Sequence, residues 1–366
     1  MKIEHFETYH IGFPFQTGGP YSWGREVWDY LDAVLLHLVT DDGVEGWGEA
    51  WGITDAIAAN YSLTNLIGPA IIGQDASNVT GISRMLQEQF AEPGFSSANM
   101  QAISAVDIAL WDIAGKIAGV PLHQLFGDLK RQKIPFYASL FCYEDADIVS
   151  ERAADAKVEG FTMIKLHELG EEEIREVRNT VGPEYKVIFD LNGAWEGHEA
   201  FERIQRYNAY DPYWYEEPIS PTNDFETMAR LRTETRASLA AGENAAGTAE
   251  FARMIEAGAV DYVQTNVTKA GRITVFREVV DLASKENVIM IPHSPMFGPG
   301  LLASLHLSAC LDDGSISEWL YYKEIDGDIY NFAFTPDQGS MEVPGGHGLG
   351  SDPDMDVVRE FTVAED

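Results

Sequence analysis

The sequence predicts an α/β fold, a (β/α)8-type barrel carrying an α+β N-terminal capping domain. Three observations predict it. Between residues 128 and 320 eight short apolar runs, IPFYAS, FTMIKL, KVIFD, YWYEE, ASLAA, VDYVQT, NVIMIP and SISEWL, alternate with amphipathic segments such as AFERIQRYNAY and ITVFREVVDLASKE. Eight strands alternating with helices fit a closed parallel barrel better than an open sheet. Second, Asp190, Glu216 and Glu243 end three consecutive runs at steps of 26 and 27 residues, close to the roughly 30 residues of one βαβ crossover. Third, residues 1–127 follow a different pattern, strands first and helices after, which defines an α+β unit.

The elements of that first unit follow from local signals. DAVLLHLVTDDGVEGWGEAWG holds an apolar strand, an Asp-Asp-Gly turn and a second strand, the signature of a hairpin. The loop from Phe13 to Trp28, rich in Gly, Pro and aromatics and carrying Arg25, is a candidate lid or a plain surface loop. AISAVDIALWDIAGKIAG repeats apolar residues at helical spacing until Gly119-Val120-Pro121 stops it. Residues 321–366, which include EVPGGHGLGSDPD, read as an irregular segment returning to the capping domain.

Composition narrows the class. A chain of 366 residues, 45% hydrophobic, can bury a large core. Its 59 acidic against 25 basic residues leave a net charge of −34, which repels phosphate backbones and anionic lipid and excludes nucleic-acid and membrane partners. Two cysteines, Cys142 and Cys310, build neither a disulfide framework nor a thiolate metal site. The start, MKIEHFETYH, lacks the features of a signal peptide, and no run of 18 apolar residues occurs. A soluble cytoplasmic homo-oligomer acting on a small carboxylate substrate is the expectation.

In a barrel the C-terminal strand ends converge on one spot. Those ends carry Lys165 and His167, then Asp190 and Asn192, Glu216 beside Glu217, Glu243 and Asn244, Asn266 with Lys269, His293, and Glu318. Any one of these polar residues could be an ordinary solvated strand end; their concentration at one end is what points to chemistry. Asp190, Glu216 and Glu243 offer hard oxygen donors suited to Mg2+. Lys165 and His167, one residue apart, share a strand face, and His293, five strands further on, faces His167 across the pocket. Two proton-transfer groups flanking a metal suit removal of a proton alpha to a carboxylate through an enediolate.

The motifs DDGVEGWGEA, ALWDIAGKIAGVPLHQLFG, IKLH, FDLN, YEEP, GEN and IPHSPMFGPGLLASLHL, in this order, resemble the enolase superfamily and within it the mandelate racemase and muconate lactonizing enzyme branch. The resemblance implies a bilobed enzyme, Mg2+ held at Asp190, Glu216 and Glu243, and Glu217 in support. It also marks departures. His167 stands where the branch places the second lysine of Lys-x-Lys. Asn266 stands where the mandelate racemase type pairs an Asp with the seventh-strand histidine, and where the muconate type carries Lys. Glu318 matches an eighth-strand Glu near the substrate carboxylate, a role that asks for a protonated or proton-sharing group. The implied reaction is acid-sugar (aldonate or aldarate) dehydration. A racemase or epimerase of a hydroxy acid or amino-acid derivative, and a non-catalytic metal-binding homologue, stand as alternatives.

An acidic surface over a normal core suits a salt-rich cytosol, where screening relieves self-repulsion. Urea unfolding in molar KCl and in dilute buffer tests this reading: the fold is expected to persist in the first and weaken in the second, and equal midpoints would contradict it.

Overall fold

The structure is a computed structural model that describes residues 1–15, 29–90, 92–94, 96–312, 314–323, 325 and 327–363. Eight parallel strands form the barrel: Lys133–Leu140, Met163–Leu166, Lys186–Asp190, Tyr215–Glu216, Leu239–Ala241, Tyr262–Val263, Ile289–Met290 and Ser317–Tyr321. Each of the first seven pairs with its sequence neighbour, and the eighth pairs with the first. All eight lie on the runs anticipated from sequence. The fourth, sixth and seventh have only two ladder residues apiece, but Gln264 N–H to Ala241 O and Ile291 N–H to Val263 O, both 2.9 Å, carry the parallel bonding past their ends.

The ladder does not close between the seventh and eighth strands among the described residues. Ser294 bridges that seam instead. Its hydroxyl donates to Glu318 O at 2.8 Å and accepts from Glu318 N–H at 3.0 Å. The strand end holding His293 is thereby tied to the one holding Glu318.

Amphipathic helices wrap the strands, with apolar faces such as Ile174, Val177 and Val181 on Glu171–Val181 turned inward. Their starts are capped where the sequence allows: Asp145 accepts from Asp147 and Ile148 N–H, and Asp224 accepts from Thr227 N–H.

The capping domain is an antiparallel sheet of Ile3–Pro14, Tyr30–Thr40 and Glu45–Ala50 packed on the helix Ala98–Ala118. Gly43 supplies the left-handed turn of the Asp41-Asp42-Gly43 hairpin (φ 80°). Gly46 and Gly48 serve another purpose. A Cβ on Gly48 would stand 1.9 Å from Ala105 O and one on Gly46 2.4 Å from Ala109 O, so the third strand can press on the helix backbone only through glycines. The helix stops at Gly119, in the left-handed conformation (φ 67°).

Beyond the eighth strand the chain runs back along both lobes. Ser340–Glu342 pairs antiparallel with the first barrel strand, Leu122 N–H donates to Gly348 O at 2.7 Å, and Thr362 bridges Ile11 of the cap sheet. This stretch is more regular than its composition suggests. It contains the helix Met355–Phe361, begun by Asp354 capping Asp356 N–H. Seven residues are two turns, too few for apolar periodicity to reveal.

Cap and barrel are joined through a buried carboxylate. Glu49, 3% exposed, is the next-to-last residue of the third cap strand and accepts from Gly300 N–H at 2.8 Å, at the start of the barrel helix Pro299–Ser308. Burial pushes its carboxyl up to about 8, with the Gly300 and Gly298 N–H groups working the other way. A carboxyl raised in the folded state binds its proton more tightly there than in the unfolded chain. Its contribution to stability is therefore complete below the ordinary value of 4.5 and is lost as pH rises towards 8. Over that window the loss approaches about 1.4 kcal/mol per pH unit. Glu49→Gln is expected to flatten the dependence of the urea midpoint between pH 5 and 8, and an unchanged slope would show that Glu49 is not its source.

Candidate active site

The strand ends bring together almost all the residues singled out in the sequence. Lys165 is at the centre. Its Nζ lies 2.8 Å from Asp190 Oδ2, 2.9 Å from Glu216 Oε1 and 2.8 Å from Glu318 Oε1, and the side chain is 1% exposed. Burial alone would discharge such an ammonium, but the three carboxylates around it hold it well above the usual lysine range. Asp190, Glu216 and Glu243 each offer one oxygen, all within 4.8 Å of one another.

The arc continues through Asn244. Its Nδ2 donates to Glu217 Oε2 at 2.7 Å and to Glu243 Oε1 at 3.1 Å, and its Oδ1 accepts from Lys269 Nζ at 2.8 Å. Lys269 sits over the Trp51 ring, 4.4 Å from its centre. Asn192 turns the third strand end with a left-handed φ of 43° and donates its N–H to Asp190 Oδ1. Glu217 follows the fourth strand end with a left-handed φ of 38°, its own N–H donating to Ala240 O at 3.0 Å. Such strain in non-glycine residues concentrates at functional sites.

The two histidines stand at opposite ends of the carboxylate row. His167 Nδ1 is 2.5 Å from Leu140 O and its Nε2 is 3.2 Å from Asp190 Oδ2. His293 Nε2 is 3.0 Å from Glu243 Oε2, and its Nδ1 is 2.8 Å from Asn266 Nδ2. Both histidines, with Lys165, Lys269 and Trp51, line a cavity of about 190 Å³. A larger recess of about 750 Å³ opens beside it and shares His167 and Asn192.

Five carboxylates are buried here, Asp190, Glu216, Glu217, Glu243 and Glu318, against the ammonium groups of Lys165 and Lys269. Their electrostatics separate accordingly. For Asp190 burial acts upward, but Lys165 and His167 outweigh it and hold the carboxyl far below its ordinary value. Glu243 is likewise raised by burial yet drawn down to about 2, chiefly by His293. Glu216 is pushed well up by burial and by repulsion from Asp190, and Glu217 to about 8 by burial and by repulsion from Glu243. Oxygen-only donors from three strand ends, in a site where carboxyl groups outnumber ammonium groups, fit a divalent hard cation.

For Glu318 burial acts upward, but Lys165 and then His293 outweigh it and hold the carboxyl below its ordinary value. Arg25, and the loop from Gln16 to Trp28, lie outside the described residues. Three contributors were not singled out in the sequence. Trp214 donates its Nε1–H to Glu216 Oε2 at 3.1 Å, Thr268 binds Asn266, and Glu49 anchors the cap. Trp214 was readable in principle, since it lies two residues before Glu216 on a strand and so shares its face.

A (β/α)8 barrel under an α+β cap, with a carboxylate triad on its third, fourth and fifth strand ends, defines the enolase-type class of barrel proteins. Residues 17–127 match the mandelate racemase/muconate lactonizing enzyme N-terminal domain, and residues 149–357 the enolase C-terminal domain-like family. The chain belongs to the mandelate racemase/muconate lactonizing enzyme family of the enolase superfamily. Among its relatives, a D-galactonate dehydratase of Ralstonia pickettii is 30% identical over 98% of this chain and 94% of its own. A D-galactarolactone cycloisomerase of Agrobacterium fabrum is 28% identical over the full length of both. A solved L-talarate/galactarate dehydratase variant, liganded with Mg and L-glucarate, superimposes with a TM-score of 0.86 at 26% identity, covering 99% of this chain and 92% of that one.

Replacing Lys165 by Met would leave its carboxylate partners without their counter-charge. Removing one partner of a buried ionic cluster costs about 3–5 kcal/mol. Thermal unfolding of Lys165→Met is expected to show that loss without added metal and a larger upward shift on adding Mg2+ than wild type shows. Equal stability without metal would remove Lys165 from its balancing role.

Proposed function

We propose that the chain is a Mg2+-dependent acid-sugar dehydratase acting on an aldonate or aldarate, a cytoplasmic enzyme of a salt-rich cell. The observation that carries this reading is the convergence of the carboxylate triad, Lys165 and two histidines on one buried cavity. Asp190, Glu216 and Glu243 would hold the metal, with Glu217 and Asn244 supporting them. When bound, Mg2+ supplies Lewis-acid stabilisation of negative charge on the substrate carboxylate.

The protein's own groups do the rest. Lys165 keeps a fixed ammonium beside the place where enediolate charge develops, on a side chain 1% exposed, where screening by solvent is weak. His167 and His293 face the cavity as proton-transfer groups, with Asn266 against His293. Lys269, held by Asn244 and Trp51, puts a second ammonium on the cavity wall. The neighbouring recess gives a polyhydroxylated chain somewhere to extend. Dehydratases and a cycloisomerase among the relatives support an acid-sugar substrate. Histidines on both sides of the cavity also keep a second reading open, racemisation by two bases.

Incubation of the Mg2+-loaded protein with a panel of aldonates, aldarates and hydroxy acids in D2O separates these readings. Loss of water to a 3-deoxy-2-keto acid is the expected outcome. Alpha-deuteration with inversion would favour the racemase, and no exchange on any substrate with metal bound would favour a non-catalytic homologue.

A further inference from the structure

The geometry points to Trp214 as a positioning residue of the metal site: its indole N–H, reaching up from the barrel core, fixes the orientation of Glu216 and so raises the affinity of the triad for Mg2+. The inference rests on the proposed role of Asp190, Glu216 and Glu243 as Mg2+ ligands, and Trp214 acts there only through Glu216.

Each carboxylate of the triad is held by a donor close to it in the chain. Asp190 Oδ1 accepts the backbone N–H of Asn192, Glu243 Oε1 accepts from Asn244 Nδ2, and Glu216 Oε2 accepts from Trp214 Nε1, each at 3.1 Å. The first two donors belong to the barrel mouth, where Asn192 and Asn244 line the cavity. Trp214 comes from the other side. It lies two residues before Glu216, so both side chains enter the barrel on one strand face, and it is fully buried. An indole nitrogen can only donate, so the direction of this hydrogen bond is settled by its chemistry.

Glu216 needs such a second hold. Its Oε1 already faces Lys165 Nζ at 2.9 Å, but the terminal torsion of a glutamate is broad, and one contact leaves the carboxyl plane able to turn. A donor on each oxygen fixes the plane, and with it the direction of the lone pairs left for a metal. Trp214 is itself wedged. Its ring meets Tyr137 edge to face at 5.9 Å between centroids, and packs on Tyr262 at 4.7 Å. Tyr137 and Trp214 belong to a buried layer with Met163, Ile188, Ala240 and Ile291. A side chain that merely filled this layer would carry no polar group to satisfy, as phenylalanine does not. Outer partners of metal ligands commonly set metal affinity by about 10–100-fold.

The experiment is calorimetric titration of Mg2+ into the full-length chain, wild type and variants. Trp214→Phe removes the N–H. Placing 3-benzothienyl-alanine at position 214 keeps the bicyclic shape and puts sulfur where the N–H was, which covers the case in which the smaller ring does not fold. Ile188→Ala is the control, since Ile188 stands two residues before Asp190 in the same layer and offers no donor. Urea unfolding without metal reads the packing loss separately. The dissociation constant for Mg2+ is expected to rise about 10-fold or more in both Trp214 replacements, whereas Ile188→Ala loses stability and keeps the wild-type Mg2+ affinity. Wild-type affinity in the benzothienyl chain would overturn the inference, as would an equal loss in Ile188→Ala, which would make Mg2+ binding follow packing alone. Either result would stand even if the protein dehydrates an acid sugar. The expected affinities in a chain that dehydrates nothing would instead count against the proposed function alone.

Discussion

The barrel mouth is governed by an imbalance of buried charge. Five carboxylates converge in the protein interior and two ammonium groups answer them. Bringing that many acids out of water is tolerable only because each has donors built around it: Lys165 for Asp190, Glu216 and Glu318, Trp214 for Glu216, Asn244 for Glu217 and Glu243. The strand ends, the strained turns at Asn192 and Glu217, and the cap above them can be understood as means of holding these groups in place. The remaining excess of negative charge is what makes the site a receptor for a small, hard cation.

Two histidines related by position are held by different partners. Each has one nitrogen fixed by a backbone or amide partner and one turned towards the cavity, but the partners have opposite polarity: a carbonyl for His167, an amide NH2 for His293. This difference originates in a single substituted side chain, Asn266, and in the Thr268 that orients it. A carboxylate at that position would accept a hydrogen bond from the ring; an amide of the same shape turned this way donates one to it.

The fold was legible because its signals are repetitive. Eight apolar runs at regular intervals and three carboxylates in register survive any uncertainty over individual strand limits, and every barrel strand falls on its run. The site was legible as a set of residue types at strand ends, since a barrel sends those ends to one place. What sequence could not show was who holds whom. That Lys165 lies among three carboxylates, Glu318 one of them, depends on contacts between residues as much as 153 positions apart. Likewise the helix Met355–Phe361 carries too few turns for a periodic signal, and the role of Glu49 exists only after two lobes have met.

The third cap strand does more than complete a sheet. Glu49 and Trp51 lie two residues apart, Glu49 at the start of a barrel helix and Trp51 beside His293 and Lys269. Gly46 and Gly48, just before them, seat the strand against the cap helix with no slack for a methyl group. The segment that fastens the lobes is thus also a wall of the reaction chamber. In engineering terms the cap is not an interchangeable lid: transplanting one from another member of the family to alter substrate choice would also replace the fastener and the roof over the histidine. A chimera would have to carry this short strand and its barrel contacts as one unit.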